Sequence, residues 1–291
     1  MFGYILTPDP EEVTRIVAQA LEEDRAFHDV TTRALVPPGQ EGRGTFLFKS
    51  GGVVCGMDAA REVFAQVSGD IVLDVIVGDG AVLEPGQVAA EIEGPLAAIL
   101  SSERVALNLM QRMSGIATMT RRMTQRAAEG GAAQVTDTRK TTPGLRELER
   151  YAVRVGGGKN HRNTLEDGVL IKDNHIAAAQ RRGATIAEVI AQARRGASHL
   201  LRVEIEVTDA AMAAQAVEAG AEVVLLDNMT PAQMHVVVET HLGKPVLFEA
   251  SGGITLDTIR AVAATGVHLI SVGALTHSAP ALDISLEIEA V

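Results

Sequence analysis

The densest chemistry in the chain is the run Asp137-Thr138-Arg139-Lys140-Thr141-Thr142-Pro143-Gly144. Arg139 brings a planar fork that can grip a carboxylate or phosphate in two places, Lys140 adds a compact positive charge, and the three threonines add hydroxyl donors. Together they make a grip for an anion. A second donor group, Lys159-Asn160-His161-Arg162, follows Gly156-Gly157-Gly158, a run that lets backbone approach a ligand closely. Beside Arg162, and ahead of a further cation at Lys172, His161 is a candidate carboxylate partner.

Acids stand opposite these cations. In Val203-Glu204-Ile205-Glu206-Val207 the two glutamates fall on one face of a strand, because side-chain direction alternates along it. If that face is interior, the carboxylates need partners such as Lys172, a sugar hydroxyl or Mg²⁺. Glu206, nearer the strand end, is the functional candidate; Glu204 is expected to make a structural ion pair deeper in. Asp227 closes a second strand in Leu225-Leu226-Asp227-Asn228. Ser251-Gly252-Gly253 lies between a strand and a helix expected to begin near Thr255, where backbone N–H groups at a helix start would seat phosphate. Gly273-Ala274 forms a similar loop.

The charge distribution agrees with a small anionic ligand. The chain carries a net charge of −11, which argues against general affinity for nucleic acid or anionic lipid. Yet Arg139 to Lys172 holds eight basic against four acidic side chains. A cationic island in an acidic protein suits a compact, multiply charged anion better than a long polyanion.

The elements that must position these residues are of two kinds. Asp9, Pro10, Glu11 and Glu12 predict a helix start, followed by Val13, Ile16, Val17, Ala20 and Leu21 at helical spacing. Short strand-like runs follow at 45–49, 53–55, 71–77 and 88–92, giving a small α+β module. A long helical stretch is predicted over about 96–128, interrupted near Ser114-Gly115. Beyond it strand and helix alternate. Strands are predicted at 134–137, 169–171, 201–207, 222–226, 245–249 and 268–272, with a weaker one at 152–155, and helices at 210–219, 231–242 and 255–264. This pattern implies a parallel sheet, open or closed as a barrel, with six or seven visible strands where a full barrel has eight. The polar residues Asp137 to Lys140, Lys172, Glu206, Asp227, Ser251 and Gly273 each fall at or just past a predicted strand's C-terminal end. Such ends converge on the face where α/β folds place their sites.

At 291 residues, 46% of them hydrophobic, the chain is long enough for two domains or one large barrel and too apolar for a disordered class. Its single cysteine, Cys55, excludes an intrachain disulfide framework and clustered-thiolate metal sites, which suits a reducing cytoplasm. Met1 to Asp9 lacks the basic start and long apolar stretch of an export signal. The longest run without Asp, Glu, Lys or Arg, 261–282, is broken by His268, Gly273, His277 and Pro280 and reads as helix end, strand and loop.

Taken in order, Asp29-Val-Thr-Thr32, Glu103-Arg-Val-Ala-Leu-Asn108, Asp137-Thr-Arg-Lys-Thr-Thr-Pro-Gly-Leu-Arg146, Gly156-Gly-Gly-Lys-Asn-His-Arg162, Val169-Leu-Ile-Lys-Asp-Asn-His175, Leu225-Leu-Asp-Asn228, Glu249-Ala-Ser-Gly-Gly-Ile254 and Leu275-Thr-His-Ser-Ala-Pro-Ala-Leu-Asp283 closely resemble the quinolinate phosphoribosyltransferases. His28 departs from the glycine usual there. The resemblance implies an N-terminal α/β sandwich over 1–113, joined by the C-terminal tail 275–291, and an incomplete, open, about seven-stranded α/β barrel over 114–274. It implies conversion of quinolinate and phosphoribosyl pyrophosphate, with Mg²⁺, to nicotinate mononucleotide, pyrophosphate and CO₂, a step of NAD biosynthesis. It further implies a homodimer with shared sites.

By the same resemblance, Arg139, His161, Arg162 and Lys172 hold the dicarboxylate, with Thr138 nearby and Arg104 supplied by the other subunit. Lys140 and Lys172 face the phosphoribosyl substrate. Glu206 and Asp227 bind ribose hydroxyls or Mg²⁺, and Ser251, Gly252, Gly253 and Gly273 seat phosphate. His277 either bonds a phosphate or caps its loop. Three other readings are a molybdenum-transport-associated pyrophosphorylase-like relative, a Schiff-base barrel aldolase using Lys172, and a nucleotide-binding regulator without turnover.

Overall fold

The computed structural model describes residues 7–291. Of the Met1–Asp9 segment expected to lack an export signal, residues 1–6 lie outside the described residues. The strands are β1 (Glu41–Phe48), β2 (Gly52–Val53), β3 (Val72–Val75), β4 (Val82–Leu83), β5 (Val88–Pro95), β6 (Gln134–Thr136), β7 (Val169–Ile171), β8 (Val203–Val207), β9 (Val223–Asp227), β10 (Leu247–Ser251), β11 (Leu269–Ser271) and β12 (Ile284–Ala290). The chain divides into two compact units. One runs up to Arg121 and takes in Thr141–Gly157 and Ala274–Val291; the other comprises Arg122–Lys140 and Gly158–Gly273. The sequence-derived boundary at 113/114 assigns residues 141–157 to the barrel, whereas they cluster with the first unit.

In the first unit an antiparallel sheet runs in the order β12-β1-β5-β3. Alternate residues of β1 are buried, and Phe46 meets Phe64 of the helix Met57–Val67 edge-on at 6.1 Å. The helix Pro10–Glu23 starts as its sequence predicts: the Asp9 carboxylate accepts the Glu11 N–H, Pro10 opens the first turn, and Val13, Ile16, Val17 and Leu21 are buried. Asp29 caps the helix Val30–Leu35 in the same way, and His28 lies exposed just before it. The tail pairs β12 with β1, as the resemblance implied.

Two expectations are corrected here. The long helix, Leu96–Ala128, is continuous through Ser114-Gly115. A Cβ on Gly115 would stand 2.0 Å from the Pro280 carbonyl oxygen, so this glycine admits a close backbone and does not break the helix. The weak strand at 152–155 is the end of the helix Arg146–Val155. Its Leu148, Tyr151, Ala152 and Val155 are buried at helical spacing, and this face outweighs the local β-branched texture. Glu149, fully buried, receives the Arg112 guanidinium at 2.8 Å and the Thr142 N–H at 3.0 Å, which anchors this helix within its unit.

The second unit is a parallel sheet of six strands in the order β6-β11-β10-β9-β8-β7. A seventh position is a single parallel bridge from Lys159 to Thr136 on the free side of β6. Helices Ile186–Gly196, Ala210–Glu218 and Pro231–Thr240 connect successive strands. The last connecting helix is Ile259–Ala263, four residues later than expected, because Thr255–Thr258 is spent on a turn closed by the Thr258 hydroxyl. Among the described residues no helix is long and apolar enough to cross a membrane.

Candidate active site

Alternation along the parallel strands decides which side chains meet inside this unit. Glu204 and Glu206 on β8, Leu225 and Asp227 on β9, Glu249 and Ser251 on β10, and Ser271 on β11 recur two residues apart and share the interior. At the C-terminal strand ends they enclose a cavity of about 580 Å³, whose wall includes Thr138, Arg139, Lys140, His161, Arg162 and Lys172. The cations read from separate stretches of sequence therefore share one chamber. Glu206, Asp227, Ser251, Gly252 and Gly253 line it as well.

Each side chain is held by its neighbours. Lys172 directly precedes the helix Asp173–Gln180, and its Nζ lies 2.9 Å from Glu206 Oε2. Asp137, fully buried, accepts the His161 N–H at 2.7 Å and the Asn160 side-chain N–H at 2.6 Å. It thereby fixes the second donor loop against the end of β6. The Arg162 guanidinium donates to the Gly168 carbonyl at 3.0 Å. Asn228, at φ 54°, donates from its side chain to Asp227 Oδ2 at 2.7 Å and from its backbone to Ser251 O at 3.0 Å.

Gly252 adopts φ +95°, and a Cβ there would stand 2.2 Å from Asn228 Oδ1. The glycine is therefore required by both backbone conformation and space. Because the following helix begins only at Ile259, the Ser251–Gly253 turn is not itself a helix start, which corrects the helix expected near Thr255. Any seat here would be made by the turn's own N–H groups. At β11 the cavity wall is formed by Ser271, and Gly273 lies outside it.

The electrostatics are those of a site prepared for negative charge. Burial lowers the Arg162 pKa, and the nearby Arg139 charge lowers it further, with Glu204 and Asp167 offsetting part of the effect. The buried Nε of Arg139 has no hydrogen-bond partner in the protein. Two guanidiniums on one cavity wall whose charges act on each other, one with an unused buried donor, favour an anion between them.

Below them lies a cluster that is only half anticipated. Glu204 pairs with His161, Oε2 to Nε2 at 3.1 Å, as the structural role expected of Glu204 requires, and Glu249 Oε1 lies 3.6 Å from the same nitrogen. Burial drives the Glu249 pKa up, and the Glu204 charge adds to this, against His161, leaving it at about 7. Burial alone would lower the His161 pKa; the hydrogen bond to Glu204 and the charges of Glu249, Glu204 and Asp137 outweigh it and hold the value above the ordinary one.

Glu249, Asn228 and Ser271 were not singled out as site residues. The signal for Glu249 was available, since it stands two residues before Ser251 on one strand and must face the same way. Asn228 carries no pattern beyond adjacency to Asp227. Arg104 and His277 belong to the first unit: Arg104 is exposed beside Glu103 at 3.6 Å, and His277 Nδ1 lies 2.6 Å from Ser278 Oγ.

A parallel α/β barrel whose C-terminal mouth gathers arginines, lysines, three acids and a glycine turn defines an enzyme-like site for a compact polyanion. Residues 29–114 match the N-terminal domain, and residues 116–287 the C-terminal domain, of quinolinate phosphoribosyl transferase, and the chain belongs to that family. A probable nicotinate-nucleotide pyrophosphorylase [carboxylating] of Bacillus subtilis is 43% identical over 270 residues, covering 91% of this chain and 90% of that protein. A mitochondrial quinolinate phosphoribosyltransferase [decarboxylating] of Nicotiana tabacum is 37% identical over 289 residues, covering 94% and 81%. The solved nicotinate-nucleotide pyrophosphorylase of Francisella tularensis superposes with a TM-score of 0.91 at 35% identity, covering 99% of this chain and 100% of that one.

Proposed function

We propose that the chain is a decarboxylating phosphoribosyltransferase that joins quinolinate to the anomeric carbon of phosphoribosyl pyrophosphate, releasing pyrophosphate and CO₂ and leaving nicotinate mononucleotide. The observation that carries this reading is that Arg139, Arg162 and Lys172 line one chamber, the first two near enough for their charges to act on each other. A planar ring bearing two adjacent carboxylates satisfies all three cations at once.

Arg139, Arg162 and Lys172 bind the two carboxylates and turn the ring nitrogen toward the ribosyl carbon, so that much of the barrier is met by orientation. Glu206 and Asp227 face that carbon from adjacent strands and steady the positive charge that grows as its bond to pyrophosphate loosens. Lys140, Thr138 and the Ser251–Gly253 turn hold the phosphate groups. Ribosylation leaves the ring nitrogen cationic; as CO₂ leaves, the electron pair of the broken C–C bond stays on the ring carbon beside that nitrogen, which stabilises it, and this carbon then takes a proton from solvent, so the step needs no protein base. Glu206 and Asp227 are hard oxygen donors on one wall and fit Mg²⁺, which when bound would neutralise pyrophosphate charge. The Lys172–Glu206 pair sets Lys172 apart from a Schiff-base lysine, which reacts as a neutral amine.

The functional unit is a homodimer in which Arg104 of one subunit completes the dicarboxylate site of the other. The chemistry is tested by supplying quinolinate and phosphoribosyl pyrophosphate together and measuring both products that leave. Equimolar pyrophosphate and CO₂ are expected; binding of both substrates without release would make the protein a nucleotide-binding regulator.

A further inference from the structure

The cluster His161, Glu204 and Glu249 is not accounted for by the chemistry above. Its polar atoms lie within 4.8 Å of one another, Glu249 is 1% exposed, and Oε1 of each glutamate is buried without a hydrogen-bond partner. His161, Arg162 and Glu249 also line a second cavity, of about 400 Å³, whose wall includes Val169, Val223 and Leu247 at the N-terminal side of the strands. The cluster thus forms part of the wall of both chambers.

Its hydrogen bonding fixes how His161 is used. The Arg162 backbone N–H donates to His161 Nδ1 at 2.8 Å, so that nitrogen presents a lone pair. The ring hydrogen must then sit on Nε2, which points at Glu204 Oε2 and Glu249 Oε1. Both ring nitrogens are therefore engaged inside the protein, and Nε2 keeps no lone pair for a metal ion. The charged groups surrounding the ring are Glu204 from β8, Glu249 from β10, Asp137 from the end of β6, and Arg162 beside it, with Arg139 next to Arg162.

We propose that His161 is a positioning residue and not a ligand of the substrate carboxylate: Glu204 accepts its Nε2–H, its Nδ1 holds the Arg162 backbone, and Arg162 is thereby aimed at the dicarboxylate. This rests on the reading of the chamber as a quinolinate site. Arg162 gains a fixed backbone at one end and the Gly168 carbonyl at the guanidinium, and a fork fixed at both ends loses little freedom when it meets a carboxylate.

The test is the tautomer of His161 in the full-length protein labelled with ¹⁵N-histidine, its resonance identified by its loss in His161→Gln. At pH above its raised pKa a ring protonated on Nε2 alone is expected, unchanged when quinolinate is added. An imidazolium that appears on adding quinolinate would overturn the proposal. Calorimetry with each substrate alone gives a second readout. Glu204→Leu, which removes the Nε2–H acceptor, should weaken quinolinate binding by about tenfold or more while phosphoribosyl pyrophosphate binding stays within about twofold, and Glu204→Gln should recover most of the loss.

Equal loss for both substrates would make the cluster merely structural. If Glu204→Leu does not fold, the tautomer of the unmodified protein still decides. Failure of the unmodified protein to bind quinolinate would defeat the functional reading instead, while the expected tautomer of the free protein would stand.

Discussion

Arg139 and Arg162 repel each other in a partly buried chamber, and that unfavourable contact makes them useful. A dicarboxylate relieves the repulsion and fills the unused Arg139 donor, so Arg139→Ala should cost the substrate a buried partner worth ~2–5 kcal/mol in kcat/KM for quinolinate. Near-normal kcat/KM in that variant would remove the assigned role. Glu249 gives a prediction of the opposite kind. Its folded pKa of about 7 lies above the ordinary 4.5, so its protonated form is favoured by folding. The stability it contributes is present below 4.5 and lost as pH rises toward 7, and the raised pKa of His161 acts in the same direction. Glu249→Gln should flatten this fall and stabilise the protein above the window by on the order of 2 kcal/mol, read from urea midpoints on either side of it. An unchanged pH profile would contradict it. Side-chain type and spacing made the cations and the Glu204 pairing legible in advance; the engagement of both His161 nitrogens was not, because it depends on a ring orientation that no spacing encodes.

Strand alternation was the most readable feature at the scale of elements. All six parallel strands overlap their predicted positions, because buried β-branched runs bounded by turns leave little choice. The errors share a cause: a local signal was overridden by a distant partner. Gly115 reads as a helix break until the Pro280 backbone is found against it, and Val153 and Val155 read as strand until the buried face of their helix is counted. Gly252 belongs to the same group, since its need for φ +95° and for a missing Cβ comes from Asn228 on the neighbouring strand's end. Gly252→Ala should push Asn228 away and disturb Asp227 with it, lowering stability and raising the KM for phosphoribosyl pyrophosphate by about tenfold. A variant with wild-type KM for that substrate would detach the turn from the phosphate role.

For the whole molecule, the chain alone accounts for a chamber in which lysines and arginines face acids, while the proposed dimer would bring Arg104 to the other subunit's site. Mixing inactive Arg104→Ala and Arg162→Ala subunits should regenerate sites that lack neither residue. Heterodimers of demonstrated composition that show no activity would end the shared-site proposal. The dicarboxylate claim itself is tested most directly by competing acceptors. With phosphoribosyl pyrophosphate in excess, kcat/KM for quinolinate should exceed that for nicotinate by about 30-fold or more, because the monocarboxylate leaves cations of the partly buried chamber unmatched. Equal use of the two acceptors would contradict the account.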